Sequence, residues 1–218
     1  MLDNLLRNYP ALEDCKMDIV KAFELLKSVY ENKGIILACG NGGSASDAEH
    51  MVGEMMKTFN LDRPLPENLK RKLTRDFGND GKFLADRLQR SLTAISLVSQ
   101  TSLITARGND VSADLIFAQQ VMGYGKPGDV LFAITTSGNS KNILNAVYTA
   151  KVMGLKVIGL TGRTGGKMKA HCDVAICVPA DETPRIQELH IPVYHTLCAM
   201  LENHFFGAVS QLNLNAKR

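Results

Sequence analysis

Hydrophobic positions along the chain fall into two kinds of pattern. Ile19, Phe23, Leu26 and Tyr30 recur at steps of four, three and four, with Ala22 and Val29 beside them. This is the stripe of an amphipathic helix, predicted over about 12–32 and closed by Asn32-Lys33-Gly34. Continuous apolar runs of strand length follow at 35–39, 130–134, 157–160 and 174–178, with a weaker one at 93–98. Such runs are buried on both faces, as in parallel sheets covered by helices on each side. Helix-length stretches separate them, for example Lys141 to Met153 with Ile143, Leu144, Val147 and Ala150 on one face. Alternating strand and helix predicts an open α/β sheet with ligands at the C-terminal strand ends.

Residues 64–90 interrupt this rhythm. They are dense in Lys and Arg, and Asp76-Phe77-Gly78-Asn79-Asp80-Gly81 marks a loop between two short helices, so the segment reads as an insertion. The last long element starts at Thr183-Pro184 and runs to about Phe206, with Pro192 inside it as the expected cause of a kink. A length of 218 residues accommodates one domain with such an insertion. Residues 60–90 hold eight Lys and Arg against five acids, a surplus equal to the whole chain's formal +3. The remainder is therefore neutral, so the charge gives no argument for nucleic acid as a partner, and a basic lid or subunit arm is the sharper reading of the insertion. Five cysteines, odd in number and set among apolar residues, predict reduced thiols in a cytoplasmic protein. Neither a basic, apolar leader nor a run of membrane-spanning length is present, so no membrane role is expected.

Two strand-to-helix junctions share a composition suited to an anion. The first is Gly40-Asn41-Gly42-Gly43-Ser44-Ala45-Ser46, where Ser46 and Glu49 read as a capping box; the second is Thr135-Thr136-Ser137-Gly138-Asn139-Ser140. Small residues let backbone N–H groups approach a phosphate, hydroxyls add donors, and the helix N-terminus adds partial positive charge. Gly162 to Met168 is no Walker A loop, since Met168 stands where a magnesium-binding hydroxyl is required, and Gly40-Asn41-Gly42 lacks the third glycine of a dinucleotide fingerprint. His50 and Glu54, four apart, share a helix face one to two turns from the first loop. The C-terminal helix carries Gln187, His190 and His195. On a straight helix Gln187 and His195 stand ~12 Å apart along the axis and ~80° around it, so a single metal would need a kink or a second subunit. His, Glu and Gln suit a divalent metal such as zinc. His171 and His204 have no partners at ligand spacing and read as structural.

Together these residues resemble the sugar isomerase (SIS) domain, and within it the phosphoheptose isomerase family. The resemblance rests on Cys39 through Glu54, Gly108-Asn109-Asp110, Thr135 to Ser140, Leu160 to Met168, and Arg185 to His195, all in order. It implies a three-layer αβα sandwich with a mostly parallel five-stranded sheet and a homotetramer with active sites between subunits. It also implies isomerisation of sedoheptulose 7-phosphate to D-glycero-D-manno-heptose 7-phosphate through an enediol. Substrate contacts carry over to Asn41, Gly42, Gly43, Ser44, Glu54, Asn109, Asp110, Thr135, Thr136, Ser137, Ser140 and Gln187, and one Zn2+ to His50, Glu54, Gln187 and His195. Glu54 and His195 carry over as the acid/base pair. Some members have arginine four residues beyond the motif glutamate; this chain has Thr58 there, with Lys57 beside it. The alternatives are a non-catalytic SIS regulator that binds a sugar phosphate or the replication initiator, and an SIS enzyme for another sugar or amino-sugar phosphate. Glu54 and His195, which look degraded in the initiator-binding relatives, favour the enzyme.

Overall fold

The computed structural model describes residues 1–216, with side chains for residues 1–208. Helix α1 (Leu2–Asn8) leads through a tight helical stretch at Pro10–Cys15 into α2 (Lys16–Glu31). The first amphipathic helix thus begins at Lys16, later than the expected 12: Pro10 fixes a separate turn, and Leu12 and Cys15 are buried from it. Strand β1 (Ile36–Cys39), α3 (Gly43–Met56), the helical segment α4 (Glu67–Arg87), β2 (Ala94–Ser96) and α5 (Thr101–Arg107) follow. After them come α6 (Ile116–Tyr124), β3 (Val130–Ile134), α7 (Lys141–Val152), β4 (Lys156–Thr161), β5 (Val174–Cys177) and α8 (Thr183–Ala216). Helix α8 extends ten residues past the expected end and stays helical through Pro192.

All five strands pair in parallel, in the order β2-β1-β3-β4-β5. Successive strand side chains point to opposite faces, which divides the core in two. Ile36, Ala38, Val130, Phe132, Ile158 and Ile176 pack with α2, α3 and α8 on one side. Leu37, Cys39, Leu131, Ala133 and Val157 pack with α6 and α7 on the other. The runs that form β1, β3 and β4 are buried on both faces, as expected, whereas the edge strands β2 and β5 alternate buried with half-buried residues because one side of each has no neighbouring strand; the three layers are those the resemblance implies.

The charged insertion is a helical hairpin. Gly78, at φ 52°, breaks α4 into two arms, and a Cβ on Gly81 would collide with the Leu73 carbonyl oxygen, so the arms lie in direct contact. An antiparallel bridge between Pro64 and Gln89 closes its base. Its charges pair locally, Lys70 with Glu67, Arg75 with Asp76 and Lys82 with Asp86, while Phe77 and Phe83 stand exposed. All five cysteines are free, and among the described residues no helix is long and apolar enough to cross a membrane.

Candidate active site

In the order β2-β1-β3-β4-β5 the chain leaves β1 toward one edge of the sheet and β3 toward the other. The crevice beyond the C-terminal ends of these two neighbours is where open parallel sheets bind ligands, because the departing loops diverge there. Both Gly/Ser loops open into it. Asn41, after β1, and Asn142, at the start of α7, exchange two amide hydrogen bonds of 2.9 Å each, Nδ2 of either donating to Oδ1 of the other. This reciprocal pair ties the loops together, and Asn142 had no signal in the sequence beyond lying two residues past the second motif.

Each loop is shaped by its own donors. Helix α3 starts at Gly43, three residues before the expected capping box, because Gly42 at φ 55° turns the chain into the helix directly. Ser46 and Glu49 therefore do not cap it: Ser46 lies inside the helix, and Glu49 accepts a hydrogen bond from the Ser99 hydroxyl at 2.6 Å. Ser44 is buried in the first turn, while Asn41, Gly42 and Gly43 are exposed. In the second loop the Thr135 and Ser140 hydroxyls lie 3.3 Å apart, Ser137 Oγ accepts from the Asn139 amide, and the Thr136 carbonyl accepts from Gly162 N. The loop after β4 buttresses it, with Met168 N donating to the Gly138 carbonyl and Lys167 N to Asn139 Oδ1. Asn109 and Asp110 lie exposed on the turn after α5, hydrogen-bonded to each other at 2.9 Å. The far end of that turn is held against α7 by Lys141–Asp114 and by Asn145 Nδ2 donating to the Asp114 carbonyl.

Helices α3 and α8 run side by side in the same direction. A Cβ on Gly43 would stand 2.5 Å from Gln187 Nε2, and further along, the His50 and His195 rings meet at 4.8 Å between centroids. Glu54, with its side chain only 12% exposed, reaches His50 Nε2 at 3.4 Å through Oε1 and Lys57 Nζ at 2.9 Å through Oε2. The position beside the missing arginine thus supplies a cation to the glutamate, while Thr58 turns its amide to Gln89 Oε1. Burial and the neighbouring His50 push His195 below the ordinary imidazole pKa, with Glu54 opposing. Burial pushes the Tyr194 hydroxyl up, and nearby Asp47 adds to the shift. His195 also borders a groove of about 430 Å³ with Tyr9, Phe59 and Pro192.

The donors expected for a metal are only partly assembled. One chain brings His50, Glu54 and His195 together without a second subunit, and His195 Nε2 is buried with no hydrogen-bond partner among the described residues, a ligand-type nitrogen that suits a cation. Gln187 lies over Gly43 instead, and no set of three His, Cys, Asp or Glu groups among the described residues converges as a formed metal centre. The donor chemistry fits zinc, and in this arrangement the four side chains do not converge on one point.

A buried ion pair, invisible in the sequence, frames the end of α3. Arg63 and Glu202 have fully buried side chains and meet at 2.8 Å. The other guanidinium nitrogens donate to the carbonyls of Met55 and Glu54, and Glu202 also accepts from the amides of Phe59, Asn60 and Leu61. The backbone at Glu54 is thereby anchored to α8. His171 stacks edge-on against Tyr148 and His204 pairs with Glu31 on the surface, both away from this cluster as expected.

Comparison with known proteins places this architecture. The SIS domain model matches residues 4–77 and 84–162, omitting part of the hairpin. The chain is similar to the phosphoheptose isomerase of Helicobacter pylori strain 26695, 40% identical over 94% of this chain and 98% of that protein. It is also similar to that of Rhodospirillum rubrum, 40% identical over 88% of each. A solved phosphoheptose isomerase from Neisseria gonorrhoeae superposes with a TM-score of 0.72 at 37% identity, covering 92% of this chain and 94% of that one. One from Francisella tularensis gives 0.71 at 31% identity, covering 93% and 98%. The chain belongs to the SIS-domain family and, within it, to the phosphoheptose isomerases.

Proposed function

We propose that this protein is an aldose–ketose isomerase that interconverts sedoheptulose 7-phosphate and D-glycero-D-manno-heptose 7-phosphate. The observation that carries the reading is Glu54, nearly buried between His50 and Lys57. It stands on the helix whose first turn opens at the β1/β3 crevice. The phosphate sits in the second loop, held by Thr135, Thr136, Ser137 and Ser140. Asn41, Gly42, Gly43, Ser44, Asn109, Asp110 and Gln187 contact the sugar. Glu54 removes a proton from C1 of the ketose and returns it to C2. His195 passes the hydroxyl proton of O1 to O2 as the carbonyl moves, so the enediol forms and collapses with no net gain or loss of protons. A neutral imidazole, favoured by the burial of His195, can give and take that proton.

His50, Glu54, Gln187 and His195 would hold one Zn2+, which polarises the carbonyl and stabilises enediolate charge when bound. The protein works in the cytoplasm as a homotetramer, residues 1–218 forming one SIS domain with an inserted basic hairpin, with sites at subunit interfaces and neither membrane nor nucleic acid as partner. The test is NMR of zinc-supplied protein with sedoheptulose 7-phosphate in D2O. The expected result is aldose product carrying deuterium at C2, lost on Glu54→Gln. Turnover of another ketose phosphate with none of this one overturns the substrate assignment and keeps the isomerase.

A further inference from the structure

Tyr194 is completely buried, yet its hydroxyl lies among charged and titratable groups. It is 3.0 Å from Nδ1 of His50 and 3.5 Å from Oδ1 of Asp47. Asp47 is itself buried, its Oδ2 has no partner, and among the described residues the Tyr194 hydroxyl is the one group hydrogen-bonded to its carboxylate. The Tyr194 ring packs edge-on against both His50 and His195, with centroids 5.7 and 4.8 Å away, so the hydroxyl has little freedom to turn elsewhere.

One hydroxyl proton can serve only one acceptor. If Tyr194 donates to His50, the buried Asp47 carboxylate is left without any donor, which is expensive in a low-dielectric site. If it donates to Asp47, its oxygen is free to accept from His50 Nδ1–H, and all three groups are satisfied in sequence. The second arrangement places the ring proton of His50 on Nδ1. In the neutral ring His50 Nε2 then presents a lone pair to Glu54 Oε1, 3.4 Å away, and two acceptors face each other. Such a juxtaposition is unfavourable by itself and favourable when a cation lies between or beside them.

We propose that Asp47 and Tyr194 are positioning residues that hold His50 as its Nδ1–H tautomer and so prepare His50 and Glu54 to receive a divalent cation. The inference deepens the reading above, on which the cation's identity as zinc rests. A histidine that ligates through one nitrogen is ordinarily oriented through the other, and loss of such a partner weakens metal binding about 10–100-fold.

The chain has five histidines, so selective 15N labelling of the metal-free protein gives a spectrum in which His50 is assigned by its loss in His50→Asn. The expected result is a protonated Nδ1 and an unprotonated Nε2 in the wild type. The Nε2–H form should appear in Tyr194→Phe, which keeps the ring packing. Zinc affinity, measured by competition with a chromophoric chelator, should fall about 10-fold or more in Tyr194→Phe and in Asp47→Ala, and less in Asp47→Asn, which retains an acceptor oxygen. Circular dichroism verifies that each variant is folded. An Nε2–H tautomer in the wild type, or zinc affinity within twofold of wild type in Tyr194→Phe, overturns the proposal. If the wild type binds no zinc, the metal assignment fails, and the tautomer measurement alone decides the positioning role.

Discussion

Removing the charge of Glu202 tests the bracket between α3 and α8. In Glu202→Gln the carboxamide oxygen still accepts from some of the Phe59, Asn60 and Leu61 amides, but the fully buried Arg63 guanidinium loses its counter-charge. Breaking a buried pair in this way costs about 3–5 kcal/mol, because the remaining ion keeps its desolvation penalty without its partner. For a domain of this size each kcal/mol lowers the melting temperature by about 2–4 °C, so a fall of about 6–20 °C is expected. The chain has no tryptophan, so urea and thermal unfolding are followed by far-UV circular dichroism, at several protein concentrations to separate assembly from folding. In the double variant Arg63→Met with Glu202→Gln no charge is left unpaired, and it should be no less stable than Glu202→Gln alone. A loss under about 1 kcal/mol in Glu202→Gln, or strictly additive effects in the cycle, refutes the reasoning.

Three further outcomes are expected. His190 is fully buried, and burial pushes its pKa down to about 4, with the Thr161 backbone opposing part of the shift. Its folded pKa lies below the unfolded value, so the unfolded chain takes up the proton first; stability is intact above about pH 6.5 and falls as pH drops toward 4, by roughly 3 kcal/mol in all. In His190→Leu that part of the slope of stability against pH should vanish, and an unchanged slope would show that His190 does not contribute. Asn142→Ala breaks the reciprocal amide pair with Asn41 and should raise KM for the sugar phosphate several-fold with a smaller effect on kcat, measured by steady-state kinetics. Neutralising Lys70, Arg71, Lys72 and Arg75 together should raise KM or loosen the assembly seen by sedimentation. If both stay unchanged, the hairpin is a solvated appendage whose charges only pair among themselves.

Much of this molecule was legible in short windows of sequence. The three inner strands appear as apolar runs because a central parallel strand is buried on both faces, the edge strand β2 gives the weaker run, and the two anion loops appear because small residues must stand where backbone amides face a ligand. His50 and Glu54 could be placed on one face because helical period alone fixes that geometry. Local reading failed where a competing local solution won: at the start of α3, glycine at φ 55° turned the chain before Ser46 could cap it.

What the sequence alone determined is therefore the layered α/β class, the position of the crevice and the chemical types gathered near it. Only the tertiary structure decided which distant residues complete it. Asn41 finds Asn142 across 101 positions, Arg63 finds Glu202 across 139, and Tyr194 finds His50 across 144. Each pairing depends on how α3, α7 and α8 lie against the sheet and one another. That placement is set by packing the whole core at once, whereas local pattern reports only the hydrogen bonds and burial a residue shares with its near neighbours in the chain.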